Sequence, residues 1–285
     1  MSLFLSPEHV LQGGYFHPTL RKLQERDTSI EPHNIMYPVF LLEDDDTVQP
    51  VGSMPNVYRY GINQLLLALD TLVQKGLKSI LIFGIVETLP KDPTGSAADA
   101  PENPVIKALP KLREAYPQLL IACDVCLCPY TSHGHCGVLT ASGAIDHARS
   151  TARIAEVALA YAKAGAHVVA PSDMMDNRIK AIKDILVANK LQNQARDVAE
   201  GADFLMVKPG LPYLDIVKQT KDMYPNHPLF IYQVSGEYAM IARSGDSGEV
   251  QSMLMETLTC MRRAGADCII TYFAPQILSI ISSKN

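Results

Sequence analysis

Four stretches of helical periodicity in this chain stop at the same kind of step: Lys75-Gly76, Ala164-Gly165, Glu200-Gly201 and Ala264-Gly265. Each glycine is followed within three residues by an apolar run. Glycine at such a step takes left-handed backbone, which ends a helix and releases the chain into strand. The apolar runs span Ile35 to Leu42, Ser79 to Ile85, Leu119 to Val125, Ala166 to Pro171, Asp203 to Val207, Leu229 to Val234 and Asp267 to Phe273. Their hydrophobicity is nearly continuous rather than alternating, as in parallel strands covered on both faces. Helical patterns lie between them, for example Ile62 to Lys75, Val105 to Ala115, Arg153 to Ala164 and Asn177 to Lys190. Repeated helix, glycine, strand is the rhythm of a β/α barrel or of a doubly wound sheet.

Polar residues at the ends of the runs decide between the two. Asp124 and Cys126 close the third run and Ser172 and Asp173 the fourth, while Lys208, Ser235 and Tyr272 mark the last three. A barrel gathers all its strand ends on one face, whereas an open sheet brings together only those beside its switch point. Five reactive ends favour the barrel. No G-x-G-x-x-G follows a strand, so a dinucleotide site has no support.

The third run leads into Cys123-Asp-Val-Cys126-Leu-Cys128-Pro-Tyr-Thr-Ser-His133-Gly-His135-Cys136, which holds four of the six cysteines. Cys126, Cys128 and Cys136 have C-x-C-x7-C spacing, offering three soft thiolates to one metal ion. Thiolate sulfur selects zinc among common divalent ions, and three protein ligands leave a fourth position open, as in catalytic sites. The alternatives are a disulfide or unligated buried thiols. A disulfide fits poorly with a chain that has no other secretory feature. The start, Met1-Ser-Leu-Phe-Leu-Ser-Pro-Glu, lacks the basic and apolar regions of a signal peptide, and no apolar run reaches eighteen residues; cytoplasmic residence is the expectation. A net charge of -5 argues against a general nucleic-acid binder.

Lys208, in Met-Val-Lys-Pro-Gly, is the second sharp feature. An amine leaving an apolar strand is expected to be desolvated and nucleophilic, suited to Schiff-base formation with a ketone. The bland reading is a lysine paired with a carboxylate or reaching to solvent. A neighbouring open metal site favours catalysis, since a metal can polarise a carbonyl or orient a second substrate.

Taken together the motifs resemble the zinc-dependent porphobilinogen synthases, also called δ-aminolevulinic acid dehydratases. The resemblance runs from Gly14-Tyr-Phe-His-Pro-Thr-Leu-Arg21 to the C-terminus. It includes Gly95-Ser-Ala-Ala-Asp99, the block Cys123 to Gly137, Ala170-Pro-Ser-Asp-Met-Met-Asp176, Met206-Val-Lys-Pro-Gly210, Val234-Ser-Gly-Glu237 and Arg262-Arg-Ala-Gly-Ala-Asp267. It implies a TIM (β/α)8-type barrel with an N-terminal arm, assembled as a homo-octamer, condensing two 5-aminolevulinate molecules to porphobilinogen with loss of water. By motif, Cys126, Cys128 and Cys136 hold the zinc, Lys208 forms the Schiff base, Ser235 and Tyr272 bind a substrate carboxylate, and Asp124 lines the site. The arm is expected over residues 1–30 and the barrel over 31–285.

The chain departs from that pattern once. After the helix Asn177 to Lys190 comes Leu191-Gln-Asn-Gln194, where a strand is due; Ala195-Arg-Asp-Val-Ala-Glu200 instead reads as the tail of another helix. The expectation is therefore a barrel shortened internally at about 194–195, with seven strands where closure needs eight. By resemblance, the absent stretch carries the fifth strand, a second catalytic lysine and a lid with substrate-binding arginines. The runs ending at Pro171 and beginning at Asp203 must then pair directly or leave two free edges, and the remaining registers are expected to misalign. Weak or absent turnover follows. Two other readings stand beside this one: a non-catalytic zinc-binding subunit that alters assembly of full-length enzyme, and an aldolase-like enzyme using Lys208 alone. The metal cluster tells against the second.

Blander expectations complete the reading. Glu43-Asp-Asp-Asp46 is a solvated loop. Lys91 to Pro104 is a mobile loop and candidate lid. His17 anchors the arm on a neighbouring subunit, His135 is a solvated loop histidine, and Cys260 and Cys268 are buried filler.

Overall fold

The computed structural model describes residues 17–23, 28–172, 175–191 and 201–283. The junction expected at 194–195, Asp173 and most of the arm lie outside them. Strands β1 (Ile35–Leu41), β4 (Ser79–Gly84), β5 (Leu120–Val125), β6 (Val168–Pro171), β7 (Leu205–Val207), β8 (Leu229–Tyr232) and β9 (Cys268–Ile270) form one parallel sheet, in the order β6-β5-β4-β1-β9-β8-β7. Between β1 and β4, β2 (Val48–Pro50) and β3 (Tyr58–Tyr60) form an antiparallel pair whose second strand also pairs with β1. The crossovers are α2 (Ile62–Gln74), α3 (Pro104–Ala115), α4 (His147–Ala164), α5 (Arg178–Ala188), α6 (Leu214–Met223), α7 (Ser235–Ala242) and α8 (Ser247–Ala264), with α1 (Pro18–Lys22) before β1 and α9 (Ala274–Ser282) after β9. Among the described residues this is a TIM-type barrel with seven strands in its parallel arc.

All four glycine steps behave as their positions demand. Gly76, Gly165, Gly201 and Gly265 have φ of 98°, 116°, 99° and 114°. The apolar runs also bury as continuous runs should: β5 is buried except at Asp124, and all of β8 is buried. Helix α4 begins six residues before the expected Arg153, because Asp146 caps it by accepting from the Arg149 N–H at 3.1 Å.

The expected misalignment of the remaining strands is not found. β1 and β4 pair without a slip from Met36 opposite Ser79 to Leu41 opposite Gly84, and β4, β5 and β6 continue in regular register. Each parallel pair is fixed by its own crossover, so loss of one unit leaves the others intact. The deficit appears instead as two edges: among the described residues, β6 pairs only with β5 and β7 only with β8. No described helix is long and apolar enough to cross a membrane.

At the N-terminal end of the sheet, His17 packs on His167 of the same chain, ring centres 5.2 Å apart. His17 Nδ1 accepts from the Thr19 N–H at 3.2 Å and His167 Nδ1 from the Ile121 N–H at 3.1 Å. Burial, then the Arg113 charge and then His17 hold His167 down to about 4, and burial with Arg113 and Arg21 lowers His17. The unfolded chain therefore binds more protons than the folded one below pH 6.5. Stability from the pair is complete above 6.5 and is lost as pH falls towards 4. For His167 the full loss is about 3 kcal/mol. Asp124, raised to about 7 by burial, runs in the opposite sense over much of the same window. The readout is therefore a difference: urea midpoints between pH 7.5 and 4.5 should fall less steeply for His167→Asn than for the parent. Equal slopes would remove the histidine pair as the cause.

Candidate active site and metal centre

The carboxyl end of β5 supplies both an acid and the metal ligands. Asp124 is the one residue of that strand that is half-buried rather than buried. Burial first raises its pKa to about 7, while the charge of Lys208 opposes the rise. Asp124 and Cys126 lie at the carboxyl end of β5, Lys208 follows β7, Tyr232 ends β8 and Tyr272 follows β9, so in this parallel arc the five stand on one rim.

After β5 the chain folds back on itself. The N–H groups of Tyr130 and Thr131 both donate to Leu127 O at 2.9 Å, Thr131 Oγ1 donates to His135 O at 2.8 Å, and the Val138 N–H donates to Ser150 Oγ at 2.8 Å. That path brings Cys136 back onto the first two thiols. Cys126 Sγ lies 3.2 Å from Cys128 Sγ and 3.4 Å from Cys136 Sγ, and the three sulfurs lie within 4.8 Å of one another. Tetrahedral ligands about 2.3 Å from a metal sit about 3.8 Å apart, so shifts of about 1 Å or less would bring the trio to a ligand set. The hydrogen bond with Cys128, then burial, holds the Cys126 thiol above its ordinary range; a cation between the sulfurs reverses that preference. No disulfide links them. His135 stands outside the trio, tilted against His133 at 5.5 Å, on the exposed side of the loop.

Lys208 follows β7, and its Nζ donates to Ser172 Oγ at the end of β6. The side chain is exposed, not desolvated as expected for a lysine leaving an apolar strand. The cause is local: β7 is one of the two edges, and its three residues are themselves half-buried or exposed. Glu237 fixes the turn after Lys208, accepting from the N–H groups of Gly210 at 2.8 Å, Val234 at 2.9 Å and Leu211. Ser235 begins α7 at the end of β8, and Tyr272 follows the neighbouring β9. Tyr272 shares a 2.7 Å hydroxyl contact with Tyr232, and burial, ahead of other causes, keeps both phenols in their protonated form. Tyr232 and Glu237 were not singled out from sequence. The signal for Glu237 was present, since a glutamate three residues into a helix commonly turns back to its first N–H groups.

Two surface expectations change. The loop from Lys91 to Pro104 is pinned rather than poised as a lid. Asp92 accepts from Thr94 and Ser96, and Arg153 binds Asp99 together with the carbonyls of Thr94 and Gly95. The acidic run at Glu43 is a clamp: Glu43 accepts from the N–H groups of Glu87, Thr88 and Leu89, and Asp45 meets Lys107 and Lys111. Cys268 is buried as expected, but Cys260 is exposed on α8.

Known proteins resemble this chain in sequence and in fold. A delta-aminolevulinic acid dehydratase of Macaca fascicularis is 46% identical over 330 aligned positions covering 98% of this chain and 100% of its own. One from Schizosaccharomyces pombe is 40% identical over 94% of this chain and 96% of its own. Among solved structures, a delta-aminolevulinic acid dehydratase of Toxoplasma gondii, in complex with its reaction product porphobilinogen, superposes with a TM-score of 0.84 at 29% identity, covering 97% of this chain and 91% of that one. The family model for delta-aminolevulinic acid dehydratase matches in two pieces, residues 10–195 and 187–280. With sequence, fold and rim in agreement, this chain belongs to the delta-aminolevulinic acid dehydratase family.

Proposed function

We propose that this chain carries the porphobilinogen synthase site for 5-aminolevulinate, with Lys208 as the Schiff-base amine and Cys126, Cys128 and Cys136 as ligands of a zinc ion. The observation that supports it best is the shared rim: the Lys208 amine on Ser172, the Asp124 carboxylate within reach of its charge, and the sulfur trio at the end of the same strand as Asp124. In this reading the neutral amine attacks the substrate ketone, the carbonyl oxygen leaves as water, and the resulting iminium charge falls beside Asp124, which stabilises it. The Tyr272 hydroxyl, oriented by Tyr232, and Ser235 donate to the substrate carboxylate. Zinc, when bound, supplies Lewis-acid polarisation for the second substrate. Assembly as a homo-octamer and residence in the cytoplasm belong to the same reading through the family resemblance.

Borohydride trapping tests the amine directly. Reduction of the imine adds one substrate less one oxygen atom to the labelled peptide. Incubation with 5-aminolevulinate and borohydride should place that adduct on the peptide bearing Lys208 and should give none in Lys208→Met. An adduct on another lysine, or undiminished labelling in the variant, would reassign the nucleophile.

The exposed lysine and the two free edges also favour a second reading, in which the chain binds zinc and joins full-length relatives without turning over substrate. Co-expression with a full-length relative separates the two. Co-elution with reduced activity supports the subunit role, and separate elution counts against it.

A further inference from the structure

The gap between β6 and β7 is bounded by two strands of the same direction, and among the described residues it is hollow. A cavity of about 390 Å³ runs from the barrel interior, where Leu81, Leu120 and Phe230 line it, out between the edges to Ile179 on α5 and Ile216 on α6. Both edges, unpaired on this side among the described residues, present hydrogen-bonding groups to it. In a parallel pair the residues whose N–H and C=O bond one neighbour alternate with those that face the other. The His167 N–H bonds Ile121 O on the β5 side, so Val168 and Ala170 face the gap. The Leu205 N–H bonds Pro228 O on the β8 side, so Met206 faces it too, and Met206 is 38% exposed.

We infer that this seam is an acceptor for one extended segment of a second polypeptide, lying parallel to β6 and β7 and apolar on both of its faces. One segment is required because seven strands in unbroken register leave a single place before an eight-stranded barrel closes. It must be parallel because both edges run the same way. Both its faces must be apolar because the cavity is lined by apolar side chains inside the barrel and in the helix layer. The relatives also say what kind of chain fits. An alignment of 330 positions against 285 residues leaves at least 45 positions of the macaque relative with no residue here, and the family match breaks at 187–195, between α5 and β7. The absent length thus falls at the seam and is long enough for a strand with its crossover helix. Adding a strand at a free edge is an established way for one chain to take up another. The inference rests on the fold and not on the catalytic reading.

The test mixes the purified chain with the stretch of the macaque relative that lies opposite the gap, prepared as a separate polypeptide. Binding is followed by sizing, and amide hydrogen exchange is followed residue by residue. The expected result is a one-to-one complex in which the amides of Val168, Ala170 and Met206 exchange about tenfold more slowly or better. The same polypeptide with its apolar strand residues changed to serine should leave them unchanged. Met206→Lys, which sets a charge at the edge, should retain the parent's thermal midpoint within a few degrees and lose binding; Ala170→Pro, which removes an N–H facing the gap, should lose it as well. Four outcomes overturn the inference: no slowing at saturating polypeptide, equal slowing by the serine control, protection of these amides in the chain alone, or protection that grows with the chain's own concentration. The third would show the seam already filled from within, and the fourth that a second copy fills it. Because no step of the assay measures turnover, failure here leaves the Lys208 reading standing, and failure of trapping leaves this one.

Discussion

The purified chain, supplied with zinc and saturating 5-aminolevulinate, is expected to form porphobilinogen about 10⁵-fold more slowly than the macaque relative, or slower still. Joining two identical small molecules depends on holding both at once, and well-oriented reactants can save about 7–11 kcal/mol of barrier. At 1.36 kcal/mol per factor of ten, the lower end of that range already gives about 10⁵. Here one anchor stands, Lys208, and it stands in water at an edge strand. By the family resemblance the second anchoring lysine and the lid arginines belong to the absent stretch. Initial rates by product formation, at equal zinc content, check this. A rate within tenfold of the relative would mean that the seam closes in solution and that one anchor suffices.

What the sequence discloses and what it hides follow physical lines. The helix stops were readable because left-handed backbone leaves a glycine behind, as at Gly165 and Gly265. The barrel strands were readable because burial on both faces leaves an unbroken apolar run. The short pair β2 and β3 was not, since its residues are half-buried or exposed and lack that run. The sulfur trio was legible because its ligands are close in the chain and chemically rare. The clamps were not, because Glu43 reaches Thr88, and Arg153 reaches Asp99, across tens of residues, and no local pattern records such a meeting. Lys208 shows the same limit from the other side. Its own strand is apolar enough to predict burial, yet burial depends on the neighbour that covers the strand, and that neighbour is the unit missing from the arc.

Zinc should behave as though the seam did not exist. The trio sits at the end of β5, and the bonds that shape its loop come from Leu127, Thr131, Ser150 and Asp92, whose carbonyl takes the Ser132 N–H at 3.0 Å. None of these partners belongs to β6 or β7. The sulfurs need only small movements to reach tetrahedral spacing, so little ordering remains to be done when the ion arrives. After exhaustive dialysis the chain should retain about one zinc per molecule. Cys128→Ser should lose it, because two thiolates and a poorly ligating hydroxyl no longer fix the ion, whereas Cys260→Ser, altering an exposed thiol on α8, should keep it. Acidification should release the metal, since protons compete for thiolate. Metal analysis on the three proteins, run beside the activity measurement, gives the decisive pairing. Stoichiometric zinc with turnover about 10⁵-fold down separates metal binding from turnover, the fold loss being that argued from positioning. Unchanged zinc in Cys128→Ser would take Cys128 out of the ligand set, and loss of zinc in Cys260→Ser would show that the ion sits elsewhere.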